Sequence, residues 1–142
     1  MGSEMCIRDS PYAVNQIVHK SNDRLMEDLE LCEKYKVPLI ITSLGAREDL
    51  NERVHAYGGL VMHDIINVEF AKKALQKGAD GLIAVCTGAG GHAGRLSPFS
   101  LIQEIREFFD GPLALAGSIA NGSAVAAAQA LGADFGLSLI HI

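Results

Sequence analysis

His92 stands in Gly88-Ala89-Gly90-Gly91-His92-Ala93-Gly94, one titratable imidazole among four glycines. A histidine with an ordinary pKa of about 6.5 can take or give a proton near neutrality. Glycines on either side strip the backbone of side chains, so a ligand can approach main-chain N–H groups closely. The residues just before, Leu82-Ile83-Ala84-Val85-Cys86, form an apolar run with no polar alternation, which is how a strand buried on both faces of a parallel sheet reads. A base beside bare backbone at the carboxyl end of a parallel strand suits an α/β cofactor enzyme. His63, followed by Asp64, is the competing base, while His19 and His55 read as surface histidines.

Two familiar glycine motifs do not fit. Gly88-Ala89-Gly90-Gly91-His92-Ala93 matches a dinucleotide fingerprint in letters, but that motif needs a helix starting within it and an acidic residue ending the next strand. Here the helix waits until about Pro98, and Leu113 to Gly117 carries no carboxylate. A triphosphate loop would end in Gly-Lys-Ser/Thr, where this chain has Gly94-Arg95-Leu96. The plain alternative is a flexible loop whose histidine is merely exposed.

The elements that must position this loop alternate between strand and helix. Tyr12 to Val18, Leu39 to Ser43, Leu60 to Ile66, Leu82 to Cys86 and Leu113 to Ala116 read as strands, and a sixth begins after Asp134. Between them lie helical patterns: Leu25, Met26, Leu29 and Cys32 on one face, then Leu50, Val54 and Tyr57, then Val68, Ala71 and Leu75. Leu101, Ile102, Ile105, Phe108 and Phe109 form the next stripe, and Ala124 to Leu131 a small-residue helix. Ser21 to Asp23, Asn67 and Ser97-Pro98 supply starts; Gly58-Gly59, Gly78 and Gly132 supply stops. Such a series predicts parallel strands in an open doubly wound sheet or a (β/α)₈ barrel. A barrel takes about 250 residues, near 31 per unit, and these units are of that order. Asn15, Thr42-Ser43, His63-Asp64, Gly88 to His92 and Gly117 to Gly122 would then converge on one mouth, so the expected fold is a partial (β/α)₈ TIM barrel of roughly five βα units and the start of another.

Composition sets the outer bounds. With 49% apolar and 6% aromatic residues, the chain suits an Ala/Gly-rich α/β domain. A formal net charge of −5, with no basic cluster, gives nucleic-acid binding no support. Cys32 and Cys86 suggest neither zinc nor a disulfide framework, so a reducing, cytoplasmic setting is expected, and no apolar run reaches the roughly 20 residues that span a bilayer. The ends are set apart. Met5 to Ser10 can be encoded by ATGTGTATAAGAGACAG plus one base, and the reverse complement of that string encodes Leu137 to Ile142. Residues 1–10 and 137–142 are therefore expected to be sequencing-adapter scar, with residues 11–136 an internal stretch of the barrel.

Ala89 to Gly94 (AGGHAG), with GADGLIAV before it, SPFSLIQEI after it and LALAGSIANG further on, resembles the nitronate monooxygenase (2-nitropropane dioxygenase) family. The resemblance extends through Val14-Asn15, Thr42 to Gly45 and Val61 to Asp64. It implies an FMN-dependent (β/α)₈ barrel that oxidises alkyl nitronates or nitroalkanes with O₂ to a carbonyl compound and nitrite. The same motifs occur in FMN-dependent enoyl-ACP reductases and NADH:quinone reductases, and a truncated piece of such an enzyme would be inactive. Carried over by position, the resemblance makes His92 the catalytic base or proton relay beside the flavin, Asn15 a contact to the isoalloxazine, and Gly90 and Gly91 the backbone over the ring. Gly117 and Ser118 would hold the FMN phosphate, with Asn121-Gly122 opening the helix behind them. Ser118 stands where many members have a second glycine, Asp64 where some have lysine, and Val85 where others have glutamine.

Overall fold

A computed structural model describes residues 11–91 and 93–139. Six strands alternate with five helices among them: β1 (Ala13–Ile17), α1 (Leu25–Lys34), β2 (Leu39–Ser43), α2 (Glu48–Ala56), β3 (Leu60–Ile65), α3 (Val68–Gln76), β4 (Gly81–Val85), α4 (Pro98–Arg106), β5 (Leu113–Ala116), α5 (Gly122–Leu131) and β6 (Phe135–Leu137). All pairings are parallel, and the spatial order is the chain order, β1 to β6. A doubly wound sheet reverses its order at a switch point, whereas a barrel does not. The fold is therefore an α/β partial TIM barrel.

Side-chain alternation sorts the strands into two faces. Toward the helices, Val18, Ile40 and Val61 pack with Leu25, Leu29, Leu50 and Val54, while Leu82, Ala84, Leu113 and Leu115 pack with Ala71, Ala74, Leu101, Ile102 and Ile105. Toward the barrel interior, Met62, Ile83, Ala114 and Ala116 form a separate cluster with Ile41 and Val85 against it. Gly81 stands opposite Met62 in register, and a Cβ there would crowd the Met62 side chain and the Pro112 carbonyl. The inner layer is thus filled by methionine where the neighbouring strand offers no side chain.

Several helix signals hold in detail. Asn67 and Asn121 accept from Phe70 N and Ala124 N at 2.8 and 3.0 Å, and Ser97 accepts from Phe99 N with Pro98 in the first turn. α1 differs from the expectation. Its N-cap is Arg24 without a side-chain cap, because Asn22 instead donates to Ile17 O and accepts from Arg24 N, tying the turn to β1. Met26 is 40% exposed and leaves the buried face to Leu25, Leu29 and Cys32. Phe108 and Phe109 lie beyond the end of α4.

The bottoms of the strands carry a repeated device. Gly78-Ala79-Asp80 and Gly132-Ala133-Asp134 each close a helix and start a strand. Asp80 accepts from Val61 N at 2.7 Å, and Asp134 accepts from Leu113 N at 2.8 Å, so each carboxylate staples its strand to the preceding one. A basic side chain completes each staple: the His55 ring lies 2.8 Å from Asp80 Oδ2, and Arg106 pairs with Asp134. Arg106 also donates to the carbonyls of Phe109, Gly111 and Gly132, fixing the α4–β5 turn. Barrel positions at this face serve stability, which leaves the opposite face for chemistry.

Candidate active site

At the carboxyl ends of the strands lies a cavity of about 1020 Å³, at the upper end of the size range usual for small-molecule sites. Asn15, Gly90, Gly91, Gly117 and Ser118, the binding residues expected from the sequence, all line it. His92 lies outside the described residues.

The β1–β3 side of the mouth is built from polar side chains. Asn15, Ser43 and Asp64 line the cavity together. Ser43 Oγ lies 2.7 Å from Asp64 Oδ2 and 3.1 Å from Asn15 Oδ1, joining three strands in one hydrogen-bonded row. Burial pushes the Asp64 carboxyl above its ordinary range, offset in part by the Ser43 hydroxyl. The sequence placed Asp64 at the mouth as half of the His63-Asp64 strand end and as a departure from relatives, with no role assigned to it. The signal for the row was present as Asn15, Ser43 and Asp64, one polar residue at each of three successive strand ends.

The other polar residues on these strands face the opposite way. Gln16, Thr42 and His63 share the parity of the helix-facing residues and are buried. Thr42 Oγ1 lies 2.6 Å from His63 Nδ1, and Gln16 Nε2 donates to Cys32 Sγ at 3.6 Å. Burial, followed by the nearby Lys77 ammonium, pushes His63 down to about 4, so its ring is neutral across the physiological range. The competing base is therefore set toward the helix layer, where it lines the part of the cavity that continues past Ala46 to Phe70 and Lys73 of α3 and Lys77 at its C-cap. His19 is exposed, and His55 is held in the Asp80 staple. Cys86 is buried behind β4 with its thiol pushed up to about 11, which removes it as a nucleophile.

The β4–β5 side is built from backbone. Gly94 approaches Val85 so closely that a Cβ would overlap the Val85 carbonyl oxygen, and a Cβ on Gly88 would overlap Ser118 Oγ. Ser118 adopts φ +55°, the left-handed region that favours glycine, which explains physically why glycine suits this position. Its N–H donates to Gly88 O at 2.9 Å and closes one loop onto the other. A phosphate at Ser118 would have to compete for that N–H. The first turn of α5 offers further N–H groups that lack intrahelical partners, with Ala124 N already taken by Asn121. Leu139 packs its side chain against Gly90, and Leu137 to Leu139 line the cavity on this side.

Residues 7–136 match the model of the nitronate monooxygenase family. The chain belongs to that family. Mycobacterium tuberculosis Rv1533, a protein assigned as a monooxygenase, is 34% identical over 108 residues, covering 75% of this chain and 29% of that protein. FabK from Thermotoga maritima superposes with a TM-score of 0.80 at 28% identity, covering 92% of this chain and 42% of that one. The nitroalkane oxidase from Streptomyces ansochromogenes superposes with a TM-score of 0.70 at 31% identity, covering 78% and 35%. The chain spans about a third of the length of the curated relatives it matches. Among the described residues, no helix is long and apolar enough to cross a membrane, and no cluster of three potential metal ligands occurs.

Proposed function

We propose that the whole protein is an FMN-dependent oxidoreductase that oxidises alkyl nitronates or nitroalkanes with O₂ to a carbonyl compound and nitrite. The observation that carries this reading is the cavity itself, one wall bare glycine backbone and the other a row of polar side chains, in a chain of the nitronate monooxygenase family. Its volume, its glycine wall and the open end of α5 fit a flavin nucleotide. When bound, FMN supplies the electron transfer between organic substrate and oxygen. Gly90 and Gly91 would lie over its ring, Asn15 would contact it from β1, and Gly117, Ser118 and the first turn of α5 would hold its phosphate.

The chain's own part is orientation, water exclusion and proton handling. Ile41, Val85 and Ala116 give the cavity an apolar lining beside the polar row. His92 is the proposed base that takes the α-proton of a neutral nitroalkane, following Gly91 at the cavity wall. His63 also lines the cavity, but its Nδ1 is engaged by Thr42 and its pKa, pushed down to about 4, makes it a weak base for that task.

The test is made on the whole protein. It should purify yellow with FMN, consume oxygen with a nitronate and release nitrite. A folded but colourless protein overturns the flavin reading. An FMN protein indifferent to nitronates that reduces an enoyl thioester, or oxidises NADH with a quinone, moves the assignment to the second reading, which the FabK superposition favours.

A further inference from the structure

The row Asn15–Ser43–Asp64 has a proton-counting property. Ser43 Oγ is within hydrogen-bond distance of both Asp64 Oδ2, at 2.7 Å, and Asn15 Oδ1, at 3.1 Å, yet a hydroxyl carries one proton. With the carboxyl proton, when present, on the Oδ2 that faces Ser43, two arrangements satisfy all three groups. If Asp64 is ionised, Ser43 donates to the carboxylate, and Asn15 must turn its amide NH₂ toward Ser43 Oγ, leaving its carbonyl toward the cavity. If Asp64 is protonated, its O–H donates to Ser43 Oγ, Ser43 donates to Asn15 Oδ1, and the Asn15 NH₂ is left toward the cavity. Within this row the carboxyl proton thus sets which end of the Asn15 amide faces Ser43.

We propose that Asp64, acting through Ser43, is a specificity-determining residue: its protonated form makes Asn15 offer donors to ligands bearing acceptor oxygens of the nitro or nitronate kind, and its ionised form makes Asn15 offer an acceptor. The inference rests on the reading that this cavity is the ligand site. Binding an oxyanion to the ionised form then takes up one proton from solvent at Asp64, with no bond made or broken elsewhere. The half-buried position of Asp64, which favours its neutral form, brings the exchange nearer to working pH.

The surroundings leave the carboxyl as the titrating member of the row. Its register partner on β4 is Ile83, and Val85 follows on the same face. On β3 itself, His63 points to the opposite face and pairs with Thr42 of β2. The other charged residues lining the cavity, among those described, are Lys73 of α3 and Lys77 at its C-cap; Lys73 reaches Glu69 at 2.6 Å and Lys77 donates to Ala46 O at 2.6 Å.

The experiment uses the full chain without flavin, with ¹⁵N-labelled asparagine side chains and ¹³C-labelled aspartate carboxyls followed by NMR across pH. The Asn15 amide signals should titrate with the Asp64 carboxyl at one midpoint, above the ordinary aspartate value of about 3.9. Ser43→Ala should leave Asp64 titrating while the Asn15 response disappears, and Asp64→Asn should make the Asn15 signals independent of pH. Nitrate, a planar oxyanion whose own charge does not change in this range, should bind with uptake of about one proton above the midpoint, read by calorimetry in two buffers; Asp64→Asn should abolish that uptake. An Asn15 amide that ignores Asp64, an equal response in Ser43→Ala, or nitrate binding without proton uptake overturns the proposal. Because the titration is read without flavin, failure of the flavin reading leaves its outcome untouched.

Discussion

The two halves of the mouth solve the problem of presenting chemistry in opposite ways. On the β1–β3 side, polarity comes from side chains: the buried Ser43 and half-buried Asp64 need partners, and with the exposed Asn15 they form one hydrogen-bonded row. On the β4–β5 side, polarity comes from backbone exposed by glycine, and the loops are held by main-chain bonds such as Ser118 N to Gly88 O. The first arrangement can titrate; the second cannot. A flavin nucleotide, which needs close approach and fixed donors, suits the second, while a small reacting molecule that exchanges protons suits the first. His92, which lies outside the described residues, is the exception in the sequence, a titratable residue within the glycine run.

The largest effect is therefore expected at that exception. His92→Ala should lower the rate with a neutral nitroalkane by about 10²- to 10⁴-fold, the usual range for a lost general base. Preformed nitronate should suffer much less. Equal losses on both substrates would show that His92 positions substrate, and the glycine half would then carry no proton chemistry at all.

Next in size comes the helix-facing side of the polar half. His63 has its folded pKa depressed to about 4 from an ordinary 6.5. A depressed histidine contributes stability that is present above its unfolded pKa and is lost as pH falls through the folded value. The gap corresponds to about 3 kcal/mol, lost between about pH 6.5 and pH 4. Urea unfolding across that range should show the decline, and His63→Gln, which keeps a hydrogen-bonding partner for Thr42, should flatten it. An unchanged slope would mean that the ring is hydrated and the polar half less dry than the geometry implies.

The smallest effect concerns the backbone half. Ser118→Gly removes the cost of a left-handed non-glycine residue, about 1–2 kcal/mol, but gives the unfolded chain about 0.4–1 kcal/mol of extra freedom. The net expectation is a gain between about 0 and 1.6 kcal/mol, read by thermal unfolding. A loss would show that the Ser118 side chain holds the Gly88 loop.

The order of strands and helices was legible in the sequence because apolar runs and glycine stops mark each unit, and the caps at Asn67, Ser97 and Asn121 stand where their side chains say. Which neighbour faces inward was not. Thr42-Ser43 and His63-Asp64 are adjacent polar pairs at the ends of runs apolar on both faces, so no alternation in the sequence assigns one member to the cavity and the other to the helices. Register across three strands decides it. Ser43, which reading the strand ends gave only as half of a polar pair, becomes the link between Asn15 and Asp64 for that reason. Met26 was misassigned because helical spacing locates a face without telling how wide the contact with the sheet is. The use of Ser118 N–H by Gly88 O has no sequence signal, since it depends on how two loops meet.

The division of labour is tested most directly by flavin occupancy in two variants of the whole protein, Gly90→Val and Asp64→Asn. Gly90 lies outside the left-handed region, and the nearest atoms to an added Cβ all belong to Leu139, within the expected adapter-derived end that the whole protein would lack, so the valine variant should fold. The account expects Gly90→Val to be folded by circular dichroism and colourless, and Asp64→Asn to keep one FMN per chain by absorbance. Full flavin in Gly90→Val, or loss of flavin in both, would contradict it.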